Sequence, residues 1–242
     1  MNDTANYKTN PLIIALDVDS TSEALQLIER IGPAAEFYKV GMELYAVGGM
    51  AFVNQLGSFG KKVFLDLKLY DISETVKRAT KQIASNEAVE FLTVHGSRAV
   101  MRAAVEGRGT KRTQLLAVTV LTSFDQDDLA DLGYSTPISD LVELRVRKAA
   151  ESGIDGIVCS PLEVKRVRET GGPKLKLVTP GVRSAGAAVG DQKRVATPAE
   201  AIASGADYLV IGRQVTRAPD PRKACEEVLA EVQPSLLARR NA

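Results

Sequence analysis

Short apolar segments alternate with amphipathic, helix-like segments along nearly the whole chain of 242 residues. Eight of the apolar segments have the length and composition of buried β-strands. They cover residues 12–18, 37–41, 62–69, 91–95, 115–121, 156–160, 175–179 and 208–211. Repeated strand-then-helix units produce parallel sheets, because two parallel neighbours require a crossover connection between them. The alternation therefore predicts an α/β protein.

Helical patterns separate the predicted strands. The first follows the helix-start signal Ser20-Thr21-Ser22-Glu23 and runs through residue 31. The others cover residues 48–59, 73–86, 98–106, 139–151, 162–169, 198–204 and 221–232. Eight such units in roughly 250 residues predict a closed (β/α)8 TIM barrel. A doubly wound open sheet is the alternative, although no G-x-G-x-x-G fingerprint follows the first strand.

We predict a single domain over residues 1–242, with a polar N-terminal extension at 1–10 and a C-terminal tail at 233–242. The net charge of +1 argues against a general nucleic-acid-binding surface. The N-terminal residues lack an apolar leader core, and no segment has the roughly 20 apolar residues that cross a bilayer. We therefore expect a cytoplasmic protein that binds neither nucleic acid nor membrane.

Ionisable residues interrupt the third predicted strand, in the segment Phe64-Leu65-Asp66-Leu67-Lys68-Leu69-Tyr70-Asp71-Ile72. Side chains alternate along a strand, so Asp66 and Lys68 should lie side by side on one face. Buried charges are costly unless they are paired, and a functional role is the favoured explanation here. Asp71 has the wrong parity for that face and should lie on the turn after the strand.

Polar residues also occur at the ends of other predicted strands, where barrel enzymes carry their catalytic groups. Asp17 ends the first strand, Lys39 lies in the second and Thr122 follows the fifth. A capping role for Asp17 and a snorkelling role for Lys39 are the structural alternatives. His95 ends the fourth strand, but no serine or cysteine nucleophile motif accompanies it, which favours a structural imidazole.

Two glycine–arginine pairs follow the last two strands, in Thr179-Pro180-Gly181-Val182-Arg183 and Ile211-Gly212-Arg213. The loops after strands seven and eight of a barrel often bind a phosphate group through backbone N–H groups, and an arginine can hold two of its oxygens. Gln192 could add an amide donor. Ordinary turn glycines beside surface arginines are the alternative.

A metal site is disfavoured. Glu43, Asp66 and Asp17 have the oxygen ligands that Mg²⁺ takes, but Lys39 and Lys68 would add positive charge to the same small space.

Together these motifs resemble the orotidine 5′-phosphate decarboxylase family of the bacterial type. The resemblance depends on Asp66-x-Lys68-x-x-Asp71-Ile72, and it extends to the motifs Lys39-Val40-Gly41, Leu121-Thr122-Ser123, Thr179 to Arg183, and Ile211 to Arg213. The chain departs from the family pattern at Tyr70, Ser73 and Glu74, where members often read His-Asp-Ile-Pro-Asn-Thr.

The resemblance implies a homodimeric barrel that converts orotidine 5′-phosphate to UMP without a metal or an organic cofactor. Lys39, Asp66, Lys68 and Asp71 would form a charge array, with Lys68 delivering the proton to C6. Asp71 and Thr75 would come from the partner subunit. The substrate would also contact Asp17, Lys39, Thr122, Arg183, Gln192, Gly212 and Arg213.

Two other functions fit parts of this pattern. One is a related D-x-K-x-x-D barrel enzyme, such as a hexulose-phosphate synthase or a ketogulonate-phosphate decarboxylase, in which Mg²⁺ stabilises an enediolate. The other is a catalytically silent phosphate-binding protein.

Overall fold

The computed structural model describes residues 10–184 and 196–240 and places eight parallel strands in a closed barrel, in the order β1 to β8. The predicted (β/α)8 TIM barrel, formed as a single domain, is confirmed. The strands are β1 (Leu12–Ala15), β2 (Phe37–Gly41), β3 (Lys62–Leu69), β4 (Val89–His95), β5 (Gln114–Val118), β6 (Gly156–Val158), β7 (Lys176–Thr179) and β8 (Tyr208–Ile211).

Helices surround the barrel and cover the outward face of its strands. They are α1 (Thr21–Ile31), α2 (Met42–Ser58), α3 (Ser73–Ile83), α4 (Arg98–Arg108), α5 (Gln126–Asp131), α6 (Ile138–Ser152), α7 (Val164–Gly171), α8 (Pro198–Ala203), α9 (Arg213–Thr216) and α10 (Pro221–Arg240), with a 3-10 turn at Gly32–Ala34. No helix of the described ranges is both long and apolar enough to cross a membrane.

Alternation along the strands divides the apolar residues into two cores. One fills the barrel, and the other lies between strands and helices. Phe37, Phe91 and Tyr208 make edge-on or tilted contacts inside the barrel, with ring centroids 5.1 to 5.9 Å apart. Phe37 and Tyr208 begin their strands, so these aromatic rings close the N-terminal end. Any open space in the barrel axis therefore lies at the C-terminal end.

Several element boundaries differ from the sequence prediction. Strand β1 ends at Ala15 and β5 at Val118, because the chain leaves the barrel wall before its apolar run ends. Asp17 and Thr122 therefore lie on loops beyond the strand ends. Helix α2 begins at Met42 and not at residue 48, and it contains a kink at Gly49, whose φ of 53° lies in the left-handed region that favours glycine.

The C-terminal tail predicted at 233–242 is helical as far as Arg240. The predicted helix ends at residue 232, whereas the observed helix includes Pro234, a residue that lacks a backbone donor. Val228, Leu229 and Val232 of this helix are buried in the core between strands and helices, and Leu236, beyond Pro234, packs against the same core. Beyond Pro234, Arg239 donates to the carbonyl of Ala206.

Candidate active site

The C-terminal ends of the strands surround a cavity of about 220 Å³. Its lining combines charged residues from β2 and β3 with apolar residues and the loops after β5, β7 and β8. Seven residues predicted from the sequence line it: Asp17, Lys39, Asp66, Lys68, Thr122, Arg183 and Gly212. The apolar part of the wall comes from Ala15, Val118, Val120, Leu121, Val158 and Val210. The cavity therefore has an ionic side and an apolar side.

Strand β3 leaves regular geometry where its charged residues lie. Leu65 pairs with Leu92 of β4 and Leu69 pairs with Val94, so four steps along β3 match two steps along β4. Lys68 has a φ of 48°, and it is the one non-glycine residue with positive φ in the part of the chain that the structure describes. A left-handed conformation is unfavourable for a residue with a Cβ, and such strain is often found at functional sites. This bulge is not visible in the alternation of side chains along the sequence.

The charged residues form a chain of ion pairs across the cavity floor. Lys68 Nζ lies 2.9 Å from Asp66 Oδ1, so the predicted contact between these side chains is present. Asp66 Oδ2 lies 4.0 Å from Lys39 Nζ, which in turn lies 2.9 Å from Asp17 Oδ1. The side chains of Asp66 and Lys39 are only 15% and 12% exposed. The order Asp17, Lys39, Asp66, Lys68 therefore alternates in sign, and each neighbour stabilises the next.

Gly41 makes room for the lysine of this chain. A Cβ at residue 41 would lie 3.1 Å from Lys39 Nζ, closer than ordinary van der Waals contact. The glycine of the Lys39-Val40-Gly41 motif thus leaves space for the ammonium group.

Thr93 of β4 also belongs to this arrangement, but it is not among the residues predicted from the sequence. Its side chain is completely buried, and its hydroxyl lies 2.9 Å from both Asp66 Oδ1 and the backbone nitrogen of Lys68. Phe91, two residues earlier in the same strand, lies in the barrel interior. The period of two along a strand therefore places Thr93 on the interior face too, and a polar residue at such a position was the available signal.

Some of the predicted phosphate-binding residues line the cavity, and others do not. Gly181, with a φ of 77°, and Arg183 lie in the loop after β7, while Gly212 follows β8. Arg213 is exposed and begins α9, but it does not line the cavity. Gln192 falls outside the described residues.

Two predicted residues do not reach the cavity of their own chain. Asp71 lies exposed on the bend after β3, as expected for a turn, and its Oδ1 accepts a hydrogen bond from the Ile72 backbone at 2.6 Å. Thr75 lies exposed in the first turn of α3. Within residues 10–184 and 196–240, Asp66 is the one carboxylate that pairs with Lys68.

His95 is placed as a packing residue. Its ring stacks on Tyr70, with centroids 4.2 Å apart and an interplanar angle of 30°. Burial, with a smaller contribution from the Arg145 charge, lowers the pKa of His95 below its usual 6.5. The imidazole is therefore neutral at pH 7 and does not line the cavity.

A second, larger depression of about 590 Å³ lies between α2 and α3. Among the described residues of its wall, tyrosine is the only titratable type, and the others have apolar, amide or hydroxyl side chains. It offers neither a carboxylate–lysine pair nor a cation for an anionic ligand. The cavity at the strand ends is therefore the candidate active site.

Comparison with known proteins gives consistent matches over most of the chain. Residues 10–228 match the profile described as orotidine 5′-phosphate decarboxylase / HUMPS family. The orotidine 5′-phosphate decarboxylase of Rhodopseudomonas palustris strain HaA2 is 52% identical over 221 residues, which are 91% of this chain and 94% of that protein. The enzyme of the same name from Methylorubrum extorquens strain PA1 is 51% identical, over 92% of this chain and 95% of that protein.

A solved structure has the same fold. The crystal structure of orotidine 5′-phosphate decarboxylase from Lactobacillus acidophilus is similar with a TM-score of 0.82 and 35% sequence identity. The match covers 93% of this chain and 100% of that one.

Proposed function

The chain belongs to the orotidine 5′-phosphate decarboxylase / HUMPS family, and from this membership we propose that it converts orotidine 5′-phosphate to UMP in pyrimidine biosynthesis. The observation that carries the proposal is the Lys68–Asp66–Lys39 arrangement on the floor of the cavity. It presents an ammonium group, held by a carboxylate, inside a cavity that also has an apolar wall.

The lining suggests how the substrate lies. The anionic phosphate binds toward the loops after β7 and β8, where Arg183 and Gly212 line the cavity. Arg213, next to Gly212 at the start of α9, turns its guanidinium group toward the bound phosphate in this proposal. Gln192 adds an amide in this proposal. The ribose hydroxyls bind Asp17 and Lys39, and the pyrimidine lies between Lys68 and Thr122.

The reaction breaks the bond between C6 and the substrate carboxylate. Carbon dioxide leaves, and the bonding electron pair remains on C6, where the ring delocalises it poorly. Lys68 Nζ stabilises this negative charge and then transfers one of its protons to C6, giving UMP. The neutral amine regains its proton from water. We propose that no metal or organic cofactor takes part.

Electrostatics supports the choice of Lys68. At the Lys68–Asp66 separation of 2.9 Å, an effective dielectric constant of about 20 gives an attraction of about 6 kcal/mol before solvent screening. The carboxylate thus holds the ammonium group in position before the reaction begins. Because the charge does not have to be reoriented as negative charge develops on C6, its stabilising effect is strong.

We also propose that the active protein is a homodimer in which Asp71 and Thr75 complete the partner's site. Asp71 and Thr75 are exposed on one chain, and the side chains beside Asp71 are unusually apolar for a surface. Tyr70 is 69% exposed and Ile72 is 73% exposed. Exposed apolar residues beside a charged site are typical of an interface between subunits.

We also propose a domain organisation and a cellular location for the protein. Each chain forms one domain over residues 1–242, and the protein acts in the cytoplasm on a soluble nucleotide.

The test follows the fall in absorbance of orotidine 5′-phosphate, with and without EDTA. We expect conversion to UMP at the same rate in both samples. Activity that EDTA abolishes would favour the related Mg²⁺-dependent barrel enzymes. Binding of UMP without any turnover of orotidine 5′-phosphate would favour a silent phosphate-binding protein.

A further inference from the structure

We propose that Thr93 is a positioning residue for the decarboxylation, acting through both Asp66 and Lys68. This inference rests on the proposed function, because it assigns Thr93 to the residues that hold the proton donor. Thr93 does not line the cavity, and its side chain has no exposed surface. Any effect on the reaction must therefore pass through its neighbours.

The hydrogen bonds of the Thr93 hydroxyl have only one consistent direction. The backbone N–H of Lys68 can only donate, so the hydroxyl oxygen accepts that bond at 2.9 Å. A hydroxyl has a single hydrogen of its own, and that hydrogen points at Asp66 Oδ1, also 2.9 Å away. One side chain thus joins the backbone of the lysine to the carboxylate that pairs with it.

The first of these bonds stabilises an unfavourable backbone conformation. The register shift between β3 and β4 breaks the regular ladder just where Lys68 takes a φ of 48°. At this break the Thr93 hydroxyl oxygen accepts a hydrogen bond from the Lys68 N–H. A backbone N–H without an acceptor would destabilise the folded state. Without the hydroxyl, the partly buried N–H would lose its acceptor and favour a return to an extended conformation, which would redirect the lysine side chain.

The second bond orients the carboxylate. Asp66 Oδ1 accepts from both Thr93 and Lys68 Nζ, and Oδ2 faces Lys39 at 4.0 Å. Rotation of the carboxylate is opposed by the Thr93 hydroxyl, so the lysine ammonium keeps one position relative to C6. A small displacement of a reacting group is known to cost large factors in rate.

The test compares Thr93→Val, which removes the hydroxyl with little change in shape, with Thr93→Ser, which keeps it. Thr113→Val is the matched control, because Thr113 is equally buried and its hydroxyl donates to the carbonyl of Val89, at the opposite end of the strand that carries Thr93. We measure kcat and KM for orotidine 5′-phosphate, the affinity for UMP, and the melting temperature.

We expect Thr93→Val to lower kcat by roughly 10- to 100-fold while UMP affinity stays near that of the parent protein. Thr93→Ser should recover most of the lost kcat. Thr113→Val should lower the melting temperature and leave kcat unchanged. An unchanged kcat in Thr93→Val, or an equal loss in Thr113→Val, would overturn the positioning role.

A crystal structure of Thr93→Val separates this inference from the proposed function. We expect Lys68 to leave the left-handed region and its Nζ to move beyond about 3.5 Å from Asp66 Oδ1. If the Lys68–Asp66 ion pair is unaltered in Thr93→Val, the positioning role is refuted. Inactivity of the parent protein on orotidine 5′-phosphate is a separate result, and it would refute the proposed function.

Discussion

Replacing Asp66 by asparagine removes one negative charge from the centre of the ion-pair chain and keeps the shape of the side chain. The carbonyl oxygen of the introduced amide can still accept from Thr93 and Lys68, so the geometry is retained while the charge is lost. Lys68 and Lys39, which both face Asp66 in the parent protein, then lie close together without their shared counter-charge.

The size of the effect follows from these separations. At an effective dielectric constant of about 20, the contacts at 2.9 Å and 4.0 Å correspond to about 6 and about 4 kcal/mol. Water reaches part of both lysine side chains and screens the interaction, so we take the smaller figure. A loss of about 4 kcal/mol in transition-state stabilisation lowers kcat by about a thousandfold.

The assay measures kcat from the absorbance of orotidine 5′-phosphate and the affinity for UMP by calorimetry. Asp155→Asn serves as the matched control, because Asp155 forms an ion pair with Arg108 and accepts the Leu115 N–H at the far end of the barrel. We expect the control to lose stability and keep its kcat. A kcat of Asp66→Asn within about tenfold of the parent value would refute the electrostatic reasoning.

Three further predictions concern the phosphate, the subunit interface and pH. Arg213→Ala should lower kcat/KM by roughly 10- to 100-fold and weaken UMP binding without affecting uridine binding; equal losses for both ligands would remove Arg213 from the phosphate site. Inactive Lys68→Ala and Asp71→Ala proteins, mixed and allowed to exchange subunits, should regain activity, since a mixed dimer contains one intact site; no recovery despite proven exchange would place Asp71 in its own chain's site. His95 has a lowered pKa in the folded state, so the unfolded chain binds its proton more readily, and its contribution to stability is full above pH 6.5 and lost as the pH falls below that value. Because His95 is the only histidine, the denaturation midpoint of His95→Phe should fall less than that of the parent between pH 7.5 and pH 6, and parallel losses would contradict this assignment.

The fold and the floor of the site were predictable because both depend on periodic patterns. Asp66 and Lys39 are charged residues in apolar strands, at positions whose parity points into the barrel. Eight short strands with intervening helices leave few topologies other than a closed barrel. The same parity argument applied to β4 would have identified Thr93.

Other features depend on interactions that a linear pattern does not encode. The left-handed backbone of Lys68 follows from the mismatch between β3 and β4, which involves residues more than twenty positions apart. Helix α9 has only four residues, too few for a helical period to be visible. The end of α10 depends on Arg239 reaching Ala206, a contact between distant parts of the chain.

The central claim, that the Lys68 ammonium group stabilises and protonates C6, is tested most directly by the turnover of Lys68→Ala. The control is Lys62→Ala, since Lys62 is an exposed lysine at the opposite end of the same strand. We expect Lys68→Ala to lose measurable turnover of orotidine 5′-phosphate and to bind UMP nearly as tightly as the parent and the control. Turnover within about tenfold of the parent value, in a protein that is folded and binds UMP, would contradict it.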